Sequence, residues 1–214
     1  MDARARQVLD FWFGDAGSDA GALESRVRVW FGMDAAAVEA FDEHIRSEFG
    51  ADVEAALRGG LDNWKQPAQA RLALVILLDQ FPRNIFRGSA RAFAGDARAL
   101  ELVQEGLKNG ADRLLTPVRR LFFYMPLQHA EDAAAQTRGI EEFRRLAADA
   151  PPELRAVFES SANYARLHHE IIVRFGRFPH RNAALGRDST VAEREFLASG
   201  ATDFGQGSGS RKAR

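Results

Sequence analysis

Apolar residues recur every three or four positions along most of this chain, which is the spacing of one face of an α-helix. The pattern is clearest after Asp34, a suitable helix N-cap, and it ends at the paired glycines 59 and 60. A second long stripe begins after the prolines at 151 and 152 and continues to Phe175. Alternating apolar and polar runs bounded by hairpin turns, the mark of β-strands, are missing. The pattern therefore predicts an all-α protein.

The segment from Leu72 to Leu78 is apolar on every side, as expected for a helix that other helices surround. We predict that this central helix ends before Pro82, because proline lacks an N–H donor and disfavours helical geometry in the residue before it. For the same reason, Pro126 is predicted to bend or break a later helix within FFYMPLQHAED.

Polar residues mark the N-termini of further helices. Asp96 can cap a helix that runs to about residue 109. The pair Thr116 and Pro117 suits an N-cap and a first helical turn. Thr190 with Glu193 forms a capping-box pattern at the start of a last short helix. Together with the stripes described above, these signals predict about eight or nine helices.

The predicted connections are short, so consecutive helices should pack as antiparallel hairpins. We expect stacked helix hairpins in a single domain that covers residues 1–200. No tetratricopeptide-repeat consensus is legible, so the sequence period by itself does not establish a helical repeat. From residue 200 the pattern is lost, and residues 201–214 are typical of a flexible C-terminal tail.

The composition narrows the class of protein. The 214 residues are 46% hydrophobic and 28% charged, which are ordinary values for a folded globular protein. The longest apolar run is far shorter than a membrane span, and the start of the sequence has no secretory signal pattern. Cysteine is absent, which excludes disulfides and thiolate catalysis, and a formal charge of -1 argues against nucleic acid or acidic membranes as partners. We expect a soluble, cytoplasmic protein.

Two stretches repeat nearly the same phrase: FPRNIFRGS begins at Phe81, and FPHRNAALGRDS begins at Phe178. One interpretation is structural, because proline ends a helix, asparagine and glycine suit turns, and a hydroxyl caps the next helix. The arginine beside asparagine in both phrases favours a second interpretation, an anion-binding site, because a guanidinium matches carboxylates and phosphates. Internal pairing, for example of Asp79 with Arg83 four residues later, competes with the second interpretation.

The histidines are the other candidates for chemistry. His168-His169-Glu170 lacks the spacing of the zinc-peptidase motif, so we predict no metal site there. His168 continues an apolar stripe and fits a buried, hydrogen-bonded histidine. His129 and Asp132 can share a helix face, where a carboxylate would polarise an imidazole for acid–base work. The alternative for Asp132 is a helix N-terminal role that offsets the helix dipole.

A family resemblance rests on four stretches, which occur in this order: FWFG from Phe11, LLDQFPRNIFRG from Leu77, FFYMPLQHAED from Phe122 and HHEIIVRFGRFPHRNAALGRDST from His168. Together they resemble the bacterial domain-of-unknown-function family numbered 924, over about residues 4–200. The resemblance implies an all-helical superhelix of paired helices, similar to tetratricopeptide-repeat proteins. It implies no established reaction, substrate or cofactor, and we expect no cofactor.

The leading hypothesis is a binding protein whose groove recognises an anionic small molecule or the anionic group of a peptide. Its donors would come from the two phrases and from nearby histidines: Arg83, Asn84, Arg177, His180, Arg181, Asn182, His129 and His168.

Two other hypotheses stay open. One is a hydrolase, with or without a metal, that uses His129, Asp132, Glu131 and a histidine from residues 168–180. The other is a structural scaffold that binds a protein partner through an exposed apolar patch. Convergence of imidazoles and carboxylates in a cleft would favour the enzyme.

Overall fold

A computed structural model describes residues 1–16 and 20–200, so the predicted tail, residues 201–214, lies outside the described residues. The α-helices are α1 Ala3–Phe13, α2 Ala20–Trp30, α3 Ala35–Leu57, α4 Ala68–Val75, α5 Phe81–Ile85, α6 Asp96–Lys108, α7 Pro117–His129, α8 Ala133–Ala148, α9 Pro152–Phe175 and α10 Val191–Ala198. Short 3₁₀ turns cover Asp62–Lys65, Ala90–Phe93, Ala111–Leu114 and Pro179–Arg181. A π-helical turn, Ile76–Gln80, joins α4 to α5, so the described part of the chain contains nine continuous helices and no strand. The all-α prediction is confirmed.

The helix predicted to be central is buried on every side. Leu72, Leu77 and Leu78 have no solvent exposure, and α4 packs against α1, α6 and α7. The main core draws its buried residues from Ala5 to Ala165. None of the helices described here is long and apolar enough to cross a lipid bilayer.

The prediction that this helix ends before Pro82 is wrong. The chain continues through the π-turn into α5, near whose start Pro82 lies. In the π-turn the N–H of Phe81 donates to the carbonyl of Ile76, five residues earlier. This wider turn accommodates the proline ring, which in a regular α-helix clashes with the carbonyl four residues before it. Pro126 likewise does not break its helix, because α7 continues through it to His129.

The π-turn is in close contact with the residue before α6. A Cβ atom at Gly95 would lie 2.2 Å from the carbonyl oxygen of Leu78, closer than real Cβ atoms approach an oxygen. Only glycine permits this approach of two backbone segments. The contact places Asp96, the first residue of α6, beside the α4–α5 helix.

Three of the four predicted N-cap residues lie at helix N-caps, although Thr116 makes no side-chain capping bond at α7. Asp34 caps α3, and Thr190 with Glu193 forms a complete capping box at α10. The prediction for Asp96 is wrong, because α6 follows Gly95 with no side-chain cap. The carboxylate of Asp96 is occupied by arginine side chains instead.

From α6 to α9 each helix packs against the next one in the chain, and α7 also contacts α9. This succession is the arrangement that stacked helix hairpins produce. The likeness to a tetratricopeptide-repeat superhelix and the single domain over residues 1–200 stay predictions.

Candidate functional site

The two similar stretches that begin at Phe81 and Phe178 meet at the carboxylate of Asp96. Arg83, in α5, donates from Nη1 and Nη2 to the two oxygens of Asp96 at 2.7 and 2.8 Å. Arg181, at the end of a 3₁₀ turn, donates from Nη1 to Oδ2 of the same residue at 3.1 Å. Arg83 also donates to the carbonyl oxygen of Asp79 at 2.6 Å. The arginines that precede asparagine in the two phrases are therefore neighbours in the fold.

Arg181 is held between two aromatic rings. The centre of its guanidinium lies 4.4 Å from the ring of Phe178 and 4.6 Å from the ring of Phe93, and such cation–π contacts orient the guanidinium plane. The residue is only 6% exposed, and its buried Nε has no hydrogen-bond partner within residues 1–16 and 20–200. Burial lowers the pKa of Arg181 to about 10, against the opposing attraction of Asp96. Arg181 is thus a buried cation whose charge is incompletely compensated.

A second carboxylate pairs with a histidine. Asp79 lies in the π-turn with a fully buried side chain, and His129 is the last residue of α7. Nδ1 of His129 lies 2.8 and 3.0 Å from the two oxygens of Asp79, so Nδ1 carries the proton and Nε2 the lone pair. Gln80 donates to Asp79 at 2.5 Å, and Nη1 of Arg83 lies 3.4 Å from its Oδ1. The predicted pairing of Asp79 with Arg83 is confirmed.

The protonation states of this pair follow from its surroundings. Burial by itself would raise the pKa of Asp79, but the neighbouring His129 and Arg83 hold it well below its usual value. Burial lowers the pKa of His129, and the attraction of Asp79 offsets this only in part. At neutral pH the carboxylate is therefore ionised and the imidazole neutral.

Two further histidines lie beside this pair. The ring of His168 is 6.0 Å from that of His129 and 5.6 Å from that of Phe178, and its Nδ1 donates to the carbonyl oxygen of Tyr164 at 2.8 Å. The ring of His180 lies 5.4 Å from the ring of Phe178. Burial lowers the pKa of His168 well below its ordinary value and that of His180 to about 3. Both imidazoles are neutral at pH 7.

These residues form what we call the central polar cluster: Asp79, Arg83, Asp96, His129, His168, His180 and Arg181. The cluster reaches the surface, since the side chains of His129 and Asp96 are 14% and 16% exposed. A surface cavity of about 170 Å³ lies elsewhere, beside Tyr124 and Glu142, and a second depression runs along α3. In the described part of the chain, no group of three or more histidine, aspartate or glutamate residues is arranged to hold a metal ion.

Residues beside and within the second phrase bind acids that lie outside it. Arg177 donates to both oxygens of Glu193 at 2.7 and 2.9 Å, and Asn182 lies 3.4 Å from the same carboxylate. Arg187 donates to both oxygens of Glu131 at 2.6 and 2.9 Å. These bidentate pairs fix the turn that carries Arg181.

In the first phrase, Asn84 points away from the cluster. It donates to Asp42 at 2.7 Å, and Arg87 donates to the same carboxylate at 3.2 Å. The structure thus brings five of the eight predicted ligand-binding residues together and places Asn84, Arg177 and Asn182 in separate pairings with acids.

The candidate pairing of His129 with Asp132 is not formed in the fold. Asp132 caps α8 by accepting the N–H of Ala135 at 2.7 Å, which confirms the helix-terminal alternative. Glu131 is engaged by Arg187 and by the N–H of Phe178. His129 is polarised instead by an aspartate that lies 50 residues earlier in the chain.

Three contacts were not predicted from the sequence. They are the ring of Phe93 against Arg181, the binding of two arginines by Asp96, and the pairing of His129 with Asp79. The spacing of Asp79 and Arg83 indicated that these two residues pair with each other. Nothing local in the sequence marks Phe93 as a ring that covers both Arg83 and Arg181. The prediction of a buried His168 is confirmed.

Comparison with known proteins supports the resemblance found in the sequence. The model of a family described as bacterial protein of unknown function (DUF924) matches residues 8–201. A solved structure, that of the protein of unknown function ATU0120 from Agrobacterium tumefaciens, is 38% identical, with a TM-score of 0.74, and the match covers 92% of this chain and 98% of that chain. No curated protein matches this sequence.

Proposed function

The chain belongs to the DUF924 family of bacterial proteins of unknown function, and we propose that it is a cytoplasmic binding protein for an anionic small molecule or the anionic group of a peptide. The proposed site is the part of the central polar cluster that surrounds Arg181. The proposal is carried by the buried Nε–H of Arg181, for which the described residues supply no acceptor. The absence of cysteine supports the cytoplasmic location.

Unequal sharing of Asp96 leaves Arg181 short of acceptors. Arg83 takes both carboxylate oxygens at 2.7 and 2.8 Å, whereas Arg181 has one contact at 3.1 Å. A guanidinium offers five N–H donors, and a buried donor without an acceptor costs about 1–3 kcal/mol. An oxyanion that accepts from Arg181 would remove this cost and supply the missing negative charge.

The neighbouring imidazoles suit an anion that binds together with a proton. His168 and His180 are neutral because burial and the nearby Arg181 disfavour their charged forms. A bound anion acts in the opposite direction and raises the pKa of both groups. We therefore expect the affinity for anions to increase as the pH falls.

The stretches that carry the family resemblance also supply most of the central polar cluster. Three of these stretches supply cluster residues: one contributes Asp79 and Arg83, another His129, and the last His168 and Arg181. These stretches are far apart in the chain and meet in one place. The competing explanation is that the cluster only stabilises the fold.

Calorimetric titration with inorganic phosphate and with succinate, at about pH 6.5 and constant ionic strength, tests the proposal. Arg181→Gln is the site variant, and Arg166→Gln, which removes an exposed arginine paired with Glu170, is the matched control. We expect the wild type and the control to bind, and the site variant to bind at least about tenfold more weakly, as for the loss of one charge-assisted hydrogen bond.

Equal affinity in Arg181→Gln, or no heat with either anion, contradicts the proposal. Circular dichroism and the melting temperature show whether the variant is folded. Arg181→Lys keeps the charge and serves as a second test, because it should retain part of the binding if the glutamine variant is unstable.

A further inference from the structure

We propose that Nε2 of His129 is a proton acceptor that acts on the anion held at Arg181, so that the site performs acid–base chemistry on its ligand. The inference rests on the proposed function, because it needs an anion at Arg181. It assigns Asp79 as the positioning residue of His129.

The pair of Asp79 and His129 has the geometry of a polarised base. Both carboxylate oxygens lie within 3.0 Å of Nδ1, which fixes the orientation of the ring and leaves the lone pair on Nε2. A buried carboxylate in this position strengthens the basicity of the opposite nitrogen and stabilises the imidazolium that forms. The side chain of His129 is 14% exposed, so it lies where the cluster meets solvent.

The surroundings of Asp79 indicate a purpose beyond packing. Its carboxylate is fully buried, and burying such a charge costs several kcal/mol before its partners offset it. It is satisfied by His129, Gln80 and Arg83, so it is fixed in one position and one charge state. It also lies in a π-turn, a local distortion that is frequent at functional sites.

A continuous series of ring contacts connects His129 to Arg181. The ring of His129 lies 6.0 Å from that of His168, which lies 5.6 Å from the ring of Phe178, and Phe178 in turn covers the guanidinium of Arg181 at 4.4 Å. Arg181 and His129 thus lie at the two ends of one row of packed side chains. A ligand that binds Arg181 and also reaches His129 would carry an anionic group at one end and a hydroxyl group, or a water molecule beside it, at the other.

The proton-transfer step is simple. The hydroxyl group or water gives its proton to Nε2, so that the O–H bond breaks, its electron pair stays on oxygen and an N–H bond forms. Nδ1 keeps its proton, which stays hydrogen-bonded to Asp79. The carboxylate of Asp79 therefore faces the resulting imidazolium. The imidazolium then gives the proton back to the oxygen or releases it to solvent, which restores the neutral ring.

Alkylation by bromoacetate and bromoacetamide tests this inference without knowledge of the natural ligand. The reagents are similar in size and differ in charge. Nε2 attacks the methylene carbon, a C–N bond forms, and bromide leaves with the electron pair of the C–Br bond. Peptide mass mapping then distinguishes the five histidines of the chain.

We expect the rate at which bromoacetate alkylates His129 to saturate as the reagent concentration rises. This rate should be at least about tenfold higher than the rate with bromoacetamide, because one charge-assisted hydrogen bond to the carboxylate contributes about that factor. Phosphate should protect the residue. Arg181→Gln should remove the saturation and the preference for bromoacetate while the slow reaction with bromoacetamide continues. Asp79→Asn should slow both reagents, since the ring loses its polarising charge. His169, whose Nε2 lies 3.4 Å from the hydroxyl oxygen of Thr137, is the internal control and should show no saturation.

The results separate the two proposals. If phosphate binds in the calorimeter but His129 stays unmodified, or reacts equally with both reagents, the inference is overturned and the proposed function stands. If phosphate does not bind and alkylation shows no saturation, both fail. The comparison of the two reagents on the wild-type protein needs no variant, so it remains decisive if a substitution prevents folding.

Discussion

Arg83 and Arg181 donate to the same carboxylate, that of Asp96, although one lies in α5 and the other in a turn after α9. The two repeated phrases are therefore joined in the fold through one shared carboxylate. In each phrase the arginine enters the central polar cluster, while the asparagine beside it contacts an acid outside the cluster. Arginine and asparagine thus have separate structural roles in both phrases.

Asp96→Asn should destabilise the protein strongly. The substitution leaves two buried guanidiniums without their shared anion, and we expect a loss of about 3–5 kcal/mol in the free energy of unfolding. Urea unfolding measures the loss, with Asp10→Asn, which changes an exposed acid of α1, as a control expected within about 0.5 kcal/mol of wild type. A loss below about 1 kcal/mol would show that the arginines do not depend on Asp96.

Two glycine substitutions should have effects of opposite sign. Gly95→Ala forces a Cβ atom against the carbonyl of Leu78 and should cost about 1–3 kcal/mol or more of stability. Gly50→Ala, inside α3, introduces a Cβ atom that meets nothing within 4 Å and should stabilise by about 0.5–1 kcal/mol. Thermal and urea unfolding of both variants checks this. Equal stability of the two variants would mean that the backbone contact at Gly95 is not tight.

The cluster should make the protein sensitive to acid. Burial lowers the pKa of His129 and His168, and that of His180 to about 3, below the value of about 6.5 in an unfolded chain. The native state therefore binds fewer protons than the unfolded state in this range, and the free energy of unfolding declines as the pH falls from about 6.5 toward 3. Asp79 adds a further loss at the acid end, because its folded pKa is also depressed.

Urea unfolding at several pH values between about 7.5 and 4.5 measures this decline. His180→Gln should reduce the slope by about one proton, or about 1.4 kcal/mol per pH unit. If the variant and the wild type have the same slope, His180 does not resist protonation in the folded protein.

Local signals were sufficient for much of the fold. The long helices α3 and α9 follow from apolar periodicity, and the capping box at Thr190 follows from residues three positions apart. The continuation of the central helix through Pro82 could not be predicted, because it depends on a π-turn whose geometry is decided by packing. The role of Asp96 is similar, since its arginine partners come from distant parts of the chain.

The candidate site shows the same limit. The repeated phrases and the histidine-containing stretches identified candidate ligand-binding residues, namely Arg83, Arg181, His129 and His168. Their mutual arrangement depends on how α7, α9 and the π-turn pack, which no spacing in the sequence records. The partner of His129 is therefore found in the fold and not in its own helix.

The most direct test of the central claim is a crystal structure of the protein in the presence of tungstate, a phosphate analogue with a strong anomalous signal. We predict an anomalous peak beside Arg181, with an oxygen at about 2.7–3.2 Å from its Nε and the ion close to His168 or His180. A peak that is absent from this position in a fully soaked crystal, with Arg181 still bound only to Asp96, would contradict the assignment of an anion site to the central polar cluster.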